Sequence, residues 1–565
     1  MSDYFMNEAE ENDVRFADPQ EIADSTCHIK WGKKNHGAGM LVRSNTRELD
    51  VDSSDTHSLI IGETGGGKSR RQVIPMIHTM IEAGESIIVN DCKGEIYRYL
   101  HNELKRNKYK EYVLNFREPL AGNQYNLLSI GANLYEEGKK SEATEYFYSF
   151  ANSIYEPLQN AEDPFWTQES ARYLTGLCLL ACELMDAQEV NLANVYNLHV
   201  MGMERVGPAT VLSCYFTEKR KASAIWRLME GTLNAPNDTR TSILSVMSQG
   251  LFRLILNEDI VDMTSENDFE VRDIAREKTI VFLMTKDETS AYDSIVTAFI
   301  DQSYTALVGM AETEYGGKLP IRVEYVLDEF ANMACLNDMT KKITASRSRN
   351  IRWHLVIQSL QQLSVVYGKD NAETIIGNCG TWCYMNTSDI NLLRSVSELC
   401  GEIEEDSGKR RRLLSISQLQ HFSKMDGECL ILLGRNRPFV TYLPDLSEYE
   451  RLAECQYSCP KRTRKKKPLY DIKSAVRKER ESMALRAKKE TQSNGMTFTE
   501  FMELNAKEKE EVRKEIDKKL TEEKKQTEPN EKELPEPDKK EGGKIQPVNE
   551  SRKNAGQPYG IHALY

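Results

Sequence analysis

The sequence predicts an α/β fold, a mostly parallel sheet with helices on both faces, and three observations carry that expectation. Short apolar runs rich in β-branched residues alternate with helical stretches: SLIIG (Ser58–Gly62), SIIVND (Ser86–Asp91) and EYVLNF (Glu111–Phe116). These runs are continuously apolar rather than alternating, as strands covered on both faces must be. A glycine-rich turn joins the first run to a helix, the connection expected of a parallel strand–helix unit.

The first 50 residues read as an irregular lead-in. The sheet pattern fills 51–135, breaks off, and resumes over 250–455 with TIVFLM (Thr279–Met284), RVEYVLD (Arg322–Asp328), HLVIQS (His354–Ser359), TWCYMN (Thr381–Asn386) and ECLILLG (Glu428–Gly434). Between the two parts, 136–249 reads as an all-α insertion domain: Ala143, Phe147, Phe150 and Ile154 recur at helical spacing, and RYLTGLCLLACELMD forms a second, more buried helix. Residues 456–565 form a charged tail, basic from KRTRKKK to Lys489. Thr497 and Glu500 then make a capping box for a helix with Phe501, Val512, Ile516 and Leu520 along one side. The last stretch, rich in Glu, Lys, Pro and Gly, is expected to be disordered.

The net charge of −13 over 565 residues repels nucleic acid from most of the surface, so any DNA contact must be local. The twelve cysteines lack zinc-site spacing; Cys379/Cys383 and Cys455/Cys459 are four apart with no nearby His, and free thiols in a reducing compartment are expected. The polar opening MSDYFMNEAEEND does not read as a signal peptide. The longest apolar stretch, Leu174–Met185, is about half the length of a membrane span and contains Glu183, so an intracellular chain without its own anchor is expected.

Gly62-Glu63-Thr64-Gly65-Gly66-Gly67-Lys68-Ser69 fits a phosphate-binding loop, with a strand before it and a helix expected from Ser69. Its glycines let backbone N–H groups converge on phosphate, and a helix N-terminus favours the anion. Lys68 is expected to reach the β/γ oxygens of ATP, and the Ser69 hydroxyl to ligate Mg²⁺. The complementary acid stands at the end of RVEYVLDEF: Asp328 for Mg²⁺, and Glu329 as the base that polarises water. Helix capping is the alternative reading of that acidic pair. Gln358 closes HLVIQS, where a polar side chain can sense the γ-phosphate; a surface glutamine is the plain alternative. Arg347 and Arg349, in ASRSRNIR, are either charges offered to a neighbouring active site or a solvated basic turn.

Together these segments resemble the type IV secretion coupling proteins, the TraG/TraD-like conjugative ATPases. THSLIIGETGGGKS, IIVNDCKGEIY, YVLNF followed by YNLL, DPFW, LPIRVEYVLDEFANM, SRSRNI and VIQSLQQLSVVYG occur in that family's order, over roughly residues 10 to 450. The resemblance implies a RecA-like motor domain, a hexameric ring on DNA, and delivery of a relaxase-bound single strand to the channel proteins of a type IV secretion system. It implies a sensor role for Gln358 and an arginine offered to the adjacent subunit at Arg347, with Arg349 as the fallback. Asp91 and Lys93 are expected near the nucleotide, and the helical insertion, including Trp166, near DNA or partner proteins.

Many members carry N-terminal membrane-spanning helices that this sequence does not show. Recruitment by a separate membrane protein to the inner face of the membrane is therefore expected. The basic stretch Lys461–Lys489 reads as a solvated tail, a DNA contact or a site for acidic partners. Competing functional readings are a DNA-partition or genome-packaging translocase and a non-catalytic nucleotide-dependent adaptor.

Overall fold

The computed structural model describes residues 14–155, 164–206, 209–216, 220–286, 292–404, 409–455, 459–464, 468–478 and 481. The chain divides into two units, Met1–Arg477 and Lys478–Tyr565. The helix expected around Phe501 with its Thr497–Glu500 cap, most of the basic run beyond Lys478, and the last forty residues lie outside the described residues.

The strands are β1 Cys27–Lys30, β2 Met40–Ser44, β3 Glu48–Asp52, β4 Ser58–Ile61, β5 Ser86–Asn90, β6 Lys110–Asn115, β7 Arg205–Val206, β8 Ala209–Thr210, β9 Thr279–Met284, β10 Val323–Leu327, β11 Ile351–Ile357, β12 Thr381–Tyr384, β13 Glu402–Glu404, β14 Arg410–Arg412, β15 Glu428–Leu433 and β16 Phe439–Tyr442. Nine of them form one sheet in the order β16-β15-β12-β4-β11-β10-β5-β9-β6. It is parallel from β12 to β6 and turns antiparallel at β15 and β16. Every residue of β4, β5, β9, β10 and β11 is buried, which is why these strands read as largely apolar runs, with Glu324 on β10 and Arg352 and His354 on β11 the ionisable exceptions.

Residues 27–52, expected to be irregular, instead build a three-stranded antiparallel sheet in the order β1-β3-β2. Its strands are short, Lys30 and Glu48 remain exposed along β1 and β3, and the one apolar run, Met40–Val42 on β2, spans only three residues. What fixes this small sheet is a buried charge cluster. Arg352 on β11 donates from Nε to both oxygens of Glu324 on β10, at 2.8 and 3.0 Å. Its terminal nitrogens reach the carbonyls of Ala38, Asp52 and Ser54. His354 bonds Glu324 at 2.8 Å and Ser58 on β4 at 2.6 Å. A Cβ on Gly39, at φ +147°, would lie 2.0 Å from the Asp52 carbonyl, so only glycine lets β2 approach this closely.

The helices up to the insertion are α1 Pro19–Ser25, α2 Ile74–Ala83 and α3 Glu95–Arg106. Between β6 and β9 come α4 Ser129–Glu136, α5 Lys140–Tyr155, α6 Phe165–Leu184, α7 Leu192–Gly202, α8 Val211–Tyr215, α9 Ala224–Asn234, α10 Asn237–Ile255 and α11 Glu258–Met263, with the β7–β8 hairpin among them. Ala143, Phe147, Phe150 and Ile154 are all buried in one core that continues through α12 Asp293–Glu314 to one face of the main sheet. The opposite face is covered by α2, α3 and the three-stranded sheet. Among the described residues, no helix is long and apolar enough to cross a membrane.

The start of the basic stretch is not a free tail. Lys461 bridges Ala121 in antiparallel fashion. The Arg462 guanidinium binds the carbonyls of Gly122 and Pro119 and the buried carboxylate of Asp262 at 2.7 Å. Arg464 pairs with Glu258 and Asp259 at the start of α11. Tyr470 then exchanges hydrogen bonds with Asn194 and Asn197 on α7, and Ile472 is fully buried. These arginines strap the segment after β16 across the helices that follow β6: Arg462 supplies a cation to the buried Asp262 and to open carbonyls, and Arg464 adds a more exposed pairing.

Two predictions follow from the buried charges. Glu324→Ala leaves Arg352 and His354 without their acid and is expected to cost about 3–5 kcal/mol in chemical denaturation; an unchanged midpoint would contradict the cluster's role. His57 accepts from the Trp353 N–H at Nδ1 and donates from Nε2 to the Ile343 carbonyl, which fixes its neutral form. Burial holds His57 and His199 down to about 4, below the ordinary 6.5. Their contribution to stability is complete above 6.5 and is lost as the pH falls towards 4, so melting temperature should drop across that window.

Candidate active site

Three adjacent parallel strands, β4, β11 and β10, end at the same edge of the sheet, and each delivers part of the site. After β4 the chain turns through Gly62–Gly67. Gly65 (φ +73°) and Gly67 (φ +87°) take left-handed backbone that a side chain would strain. The open side of Gly65 meets nothing within 4 Å, which leaves that stretch of backbone accessible to an anion. A wide helical turn, Lys68–Val73, follows and leads into α2, one residue earlier than expected.

Lys68 is buried, and its ammonium donates to the carbonyls of Gly62 and Glu63 at 2.6 and 3.2 Å. Burial lowers its pKa, while Glu329 and Asp328 oppose that shift. Ser69 donates to Asp328 at 3.2 Å. Burial, followed by the charge of Glu329, pushes the Asp328 carboxyl up to about 6. A hydroxyl and a carboxylate side by side at a strand end, next to a left-handed glycine loop, form a donor set that fits Mg²⁺ carrying a polyphosphate.

Glu329 sits at φ +56°, a backbone conformation that costs a non-glycine residue about 1–3 kcal/mol. Its N–H bonds the Asp328 carboxylate at 3.1 Å, and its own carboxylate accepts from Asn332 at 3.1 Å and from Gln358 at 2.7 Å. The oxygen of the Gln358 amide accepts from Thr64 at 3.0 Å. Gln358 thus spans from the phosphate loop to the acid pair, a position that follows from β11 lying between β4 and β10.

Of the other expected residues, the two arginines lie elsewhere, whereas Asp91 and Lys93 stand close enough for their charges to act on Asp328 and Lys68. Arg347 is exposed on the turn Arg347–Arg349, before the start of β11 and so at the opposite strand ends from Gln358. Among the described residues no hydrogen bond or ion pair engages its side chain. Arg349 is held within the chain by Glu312 at 2.7 Å and the Ala345 carbonyl at 2.9 Å. Asp91 is buried and accepts from the Tyr97 N–H at 2.9 Å, capping α3. Lys93 is exposed, and its charge contributes to the depression of Lys68. Trp166 is half-buried at the start of α6, edge-on to the exposed Phe165.

The sequence reading missed the supports of the loop. Asn90 donates to the Asp328 carbonyl at 2.8 Å and holds the acid strand's end. Arg70 forks onto Asp445 and touches Tyr99, while Arg71 binds the carbonyls of Leu443 and Met425. Lys424 pairs with Glu63. Two arginines directly after Ser69 were the available signal; their partners in the segment from Met425 to Asp445, more than 350 residues away, were not.

Lys68→Ala is expected to weaken binding of a fluorescent ATP analogue at least tenfold without altering the circular dichroism spectrum. Undiminished binding would remove the loop from the site.

The family model for type IV secretory system conjugative DNA transfer matches residues 15–424. Protein VirD4 of Agrobacterium fabrum is 26% identical over 377 residues, covering 66% of this chain and 53% of that protein. Protein VirD4 of Rhizobium radiobacter is 27% identical over 359 residues, covering 62% and 49%. The chain thus spans about half the length of these curated relatives. The plasmid coupling protein TrwB in complex with ADP and Mg²⁺ superposes with a TM-score of 0.57 at 16% identity, covering 76% of this chain and 94% of that one. TrwB with a non-hydrolysable ATP analogue gives 0.54 at 17% identity, covering 80% and 97%. These structures share the fold: an α/β sheet of the P-loop NTPase type. With the family match spanning most of its length, the chain belongs to the conjugative DNA-transfer family of type IV secretion systems.

Proposed function

We propose that this protein is an ATP-hydrolysing coupling protein that delivers relaxase-bound single-stranded DNA to a type IV secretion channel. The observation that carries the reading is the hydrogen-bonded chain Thr64–Gln358–Glu329 beside the Ser69–Asp328 pair. The backbone of Gly62 to Gly67 and the Lys68 ammonium would hold the phosphates of ATP, and Ser69 and Asp328 would hold its Mg²⁺. Mg²⁺ held there would supply positive charge to the phosphates of the nucleotide. Glu329 accepts a proton from the attacking water, and Gln358 orients both that carboxylate and the loop. The water oxygen bonds to the γ-phosphorus as the P–O bond to the leaving ADP breaks, and inorganic phosphate departs.

The exposed, unengaged Arg347 at the far strand ends suits a charge supplied to the next subunit of a hexameric ring. In this reading 51–135 and 250–455 form the motor, 136–249 the insertion that meets DNA or partner proteins, and 456–565 a tail that begins as a strap. A separate membrane protein would bring the ring to the inner face of the membrane. The VirD4 sequence match and the TrwB-like fold support the coupling-protein reading, since TrwB is described as a plasmid coupling protein in complex with ADP and Mg²⁺.

The test is ATP hydrolysis by the purified protein with and without single-stranded DNA. DNA-stimulated turnover that falls at least a hundredfold in Glu329→Gln, with ATP binding retained, is expected. Binding without turnover in the parent, even after ring assembly, would favour the adaptor instead. For Arg347, mixing two inactive variants, Arg347→Ala and Glu329→Gln, should restore part of the activity, because mixed rings contain some complete sites. No recovery at any ratio, with mixed rings verified, would contradict a role in trans.

A further inference from the structure

At the edge of the sheet opposite the candidate active site, a cavity of about 460 Å³ opens beneath the N-terminal ends of β5, β9 and β6. Loop residues Lys33 and Lys34, the ends of α2 and α3, Lys278 before β9, and Arg451 surround it. Six cations line it: Lys33, Lys34, Arg106, Lys108, Lys278 and Arg451. In a chain whose net charge is −13, such a concentration is a local feature rather than a reflection of composition.

Helix chemistry accounts for only part of it. The C-termini of α2 and α3 point here, and each attracts cations with about half an elementary charge. Two acids also face the cavity. Glu103 is paired with Arg106. Glu82 is buried, and burial pushes its carboxyl up to about 8, which leaves it largely uncharged at neutral pH. Even with both acids ionised and both helix ends subtracted, a net charge of about +3 remains. Arg451 is turned to the Gly32 carbonyl and Lys278 to the Asn107 carbonyl. Lys33, Lys34 and Lys108 are exposed, and among the described residues no hydrogen bond or ion pair occupies their ammonium groups.

We propose that this cavity binds a compact phosphate-bearing anion, supplied either as a free polyphosphate or as the headgroup of an anionic phospholipid. Its concave shape excludes a duplex. Among the described residues no aromatic side chain lines it, so the bases of a single strand would find nothing there to stack on. What the cavity offers is convergent ammonium and guanidinium groups, the donors that phosphate oxygens take up most strongly. The site is separated from the nucleotide loop by the length of the strands, on the order of 17 Å for five residues, and is distinct from it.

The test uses the full-length chain. Calorimetry with tripolyphosphate is done on a Lys68→Ala background, so that the nucleotide loop does not compete, and flotation is done with phosphatidylglycerol and phosphatidylcholine vesicles. Tripolyphosphate binding that falls at least tenfold in Lys33→Glu/Lys34→Glu/Lys108→Glu supports the proposal with a soluble ligand. Flotation with phosphatidylglycerol but not phosphatidylcholine, lost in the same variant, supports it with a lipid headgroup. The milder Lys33→Gln/Lys34→Gln should give an intermediate loss, and it replaces the triple variant if that one does not fold. Absence of both binding modes, or binding that charge reversal leaves unchanged, overturns the proposal. So does a lysine-dependent affinity for a single-stranded oligonucleotide without affinity for tripolyphosphate.

Discussion

The structure depends on one buried interaction, the Glu324–Arg352–His354 cluster with Ser58. It stitches β10, β11 and β4 together, and four residues further along each strand stand Asp328, Gln358 and Gly62. A one-residue slip between these strands would turn every side chain to the opposite face and scatter the site. Apolar strands alone specify register weakly, since one Ile or Val neighbour packs much like the next. A carboxylate that must meet a guanidinium and an imidazole in a dry interior has one acceptable register. Desolvating such charges is costly, and the neighbouring Arg352 and His354 hold the Glu324 carboxyl well below the usual carboxylate range despite that burial.

The same cluster explains the N-terminal sheet. Arg352 has more donors than Glu324 can accept, and the surplus goes to the carbonyls of Ala38, Asp52 and Ser54. The small sheet therefore completes the hydrogen bonding of a charge buried in the motor sheet, and it covers the apolar face of α2. At the other end of the chain, Arg462 and Arg464 act similarly, joining the loop after β6 to α11. Long-range arginines thus tie distant segments to the central sheet at both ends of the described chain.

Much of the fold was legible. Strands buried on both faces announce themselves as apolar runs, and the loop from Gly62 to Ser69 has a spacing that little else explains. The acid pair Asp328–Glu329 was visible because an apolar strand ended on it. The three-stranded sheet was hidden, because strands open to solvent on one side carry charges, and its partner Arg352 lies 300 residues beyond Asp52. The strap was read as a basic tail for the same reason: Asp262 lies 200 residues from Arg462, and Asp259 lies 205 residues from Arg464. Within the site, the bridge by Gln358 between Thr64 and Glu329 required the sheet order, which no local pattern encodes.

The central claim is that three strand ends in a charge-locked register form one phosphate-handling site. A cryo-electron-microscopy structure of the protein with Mg²⁺ and a non-hydrolysable ATP analogue tests it most directly. The account predicts the metal on the Ser69 hydroxyl with Asp328 beside it, Lys68 turned from its carbonyl partners to the β/γ oxygens, and the γ-phosphate within hydrogen-bond reach of Gln358. Phosphates bound away from the Gly62–Ser69 loop, or a metal remote from Asp328, would contradict it.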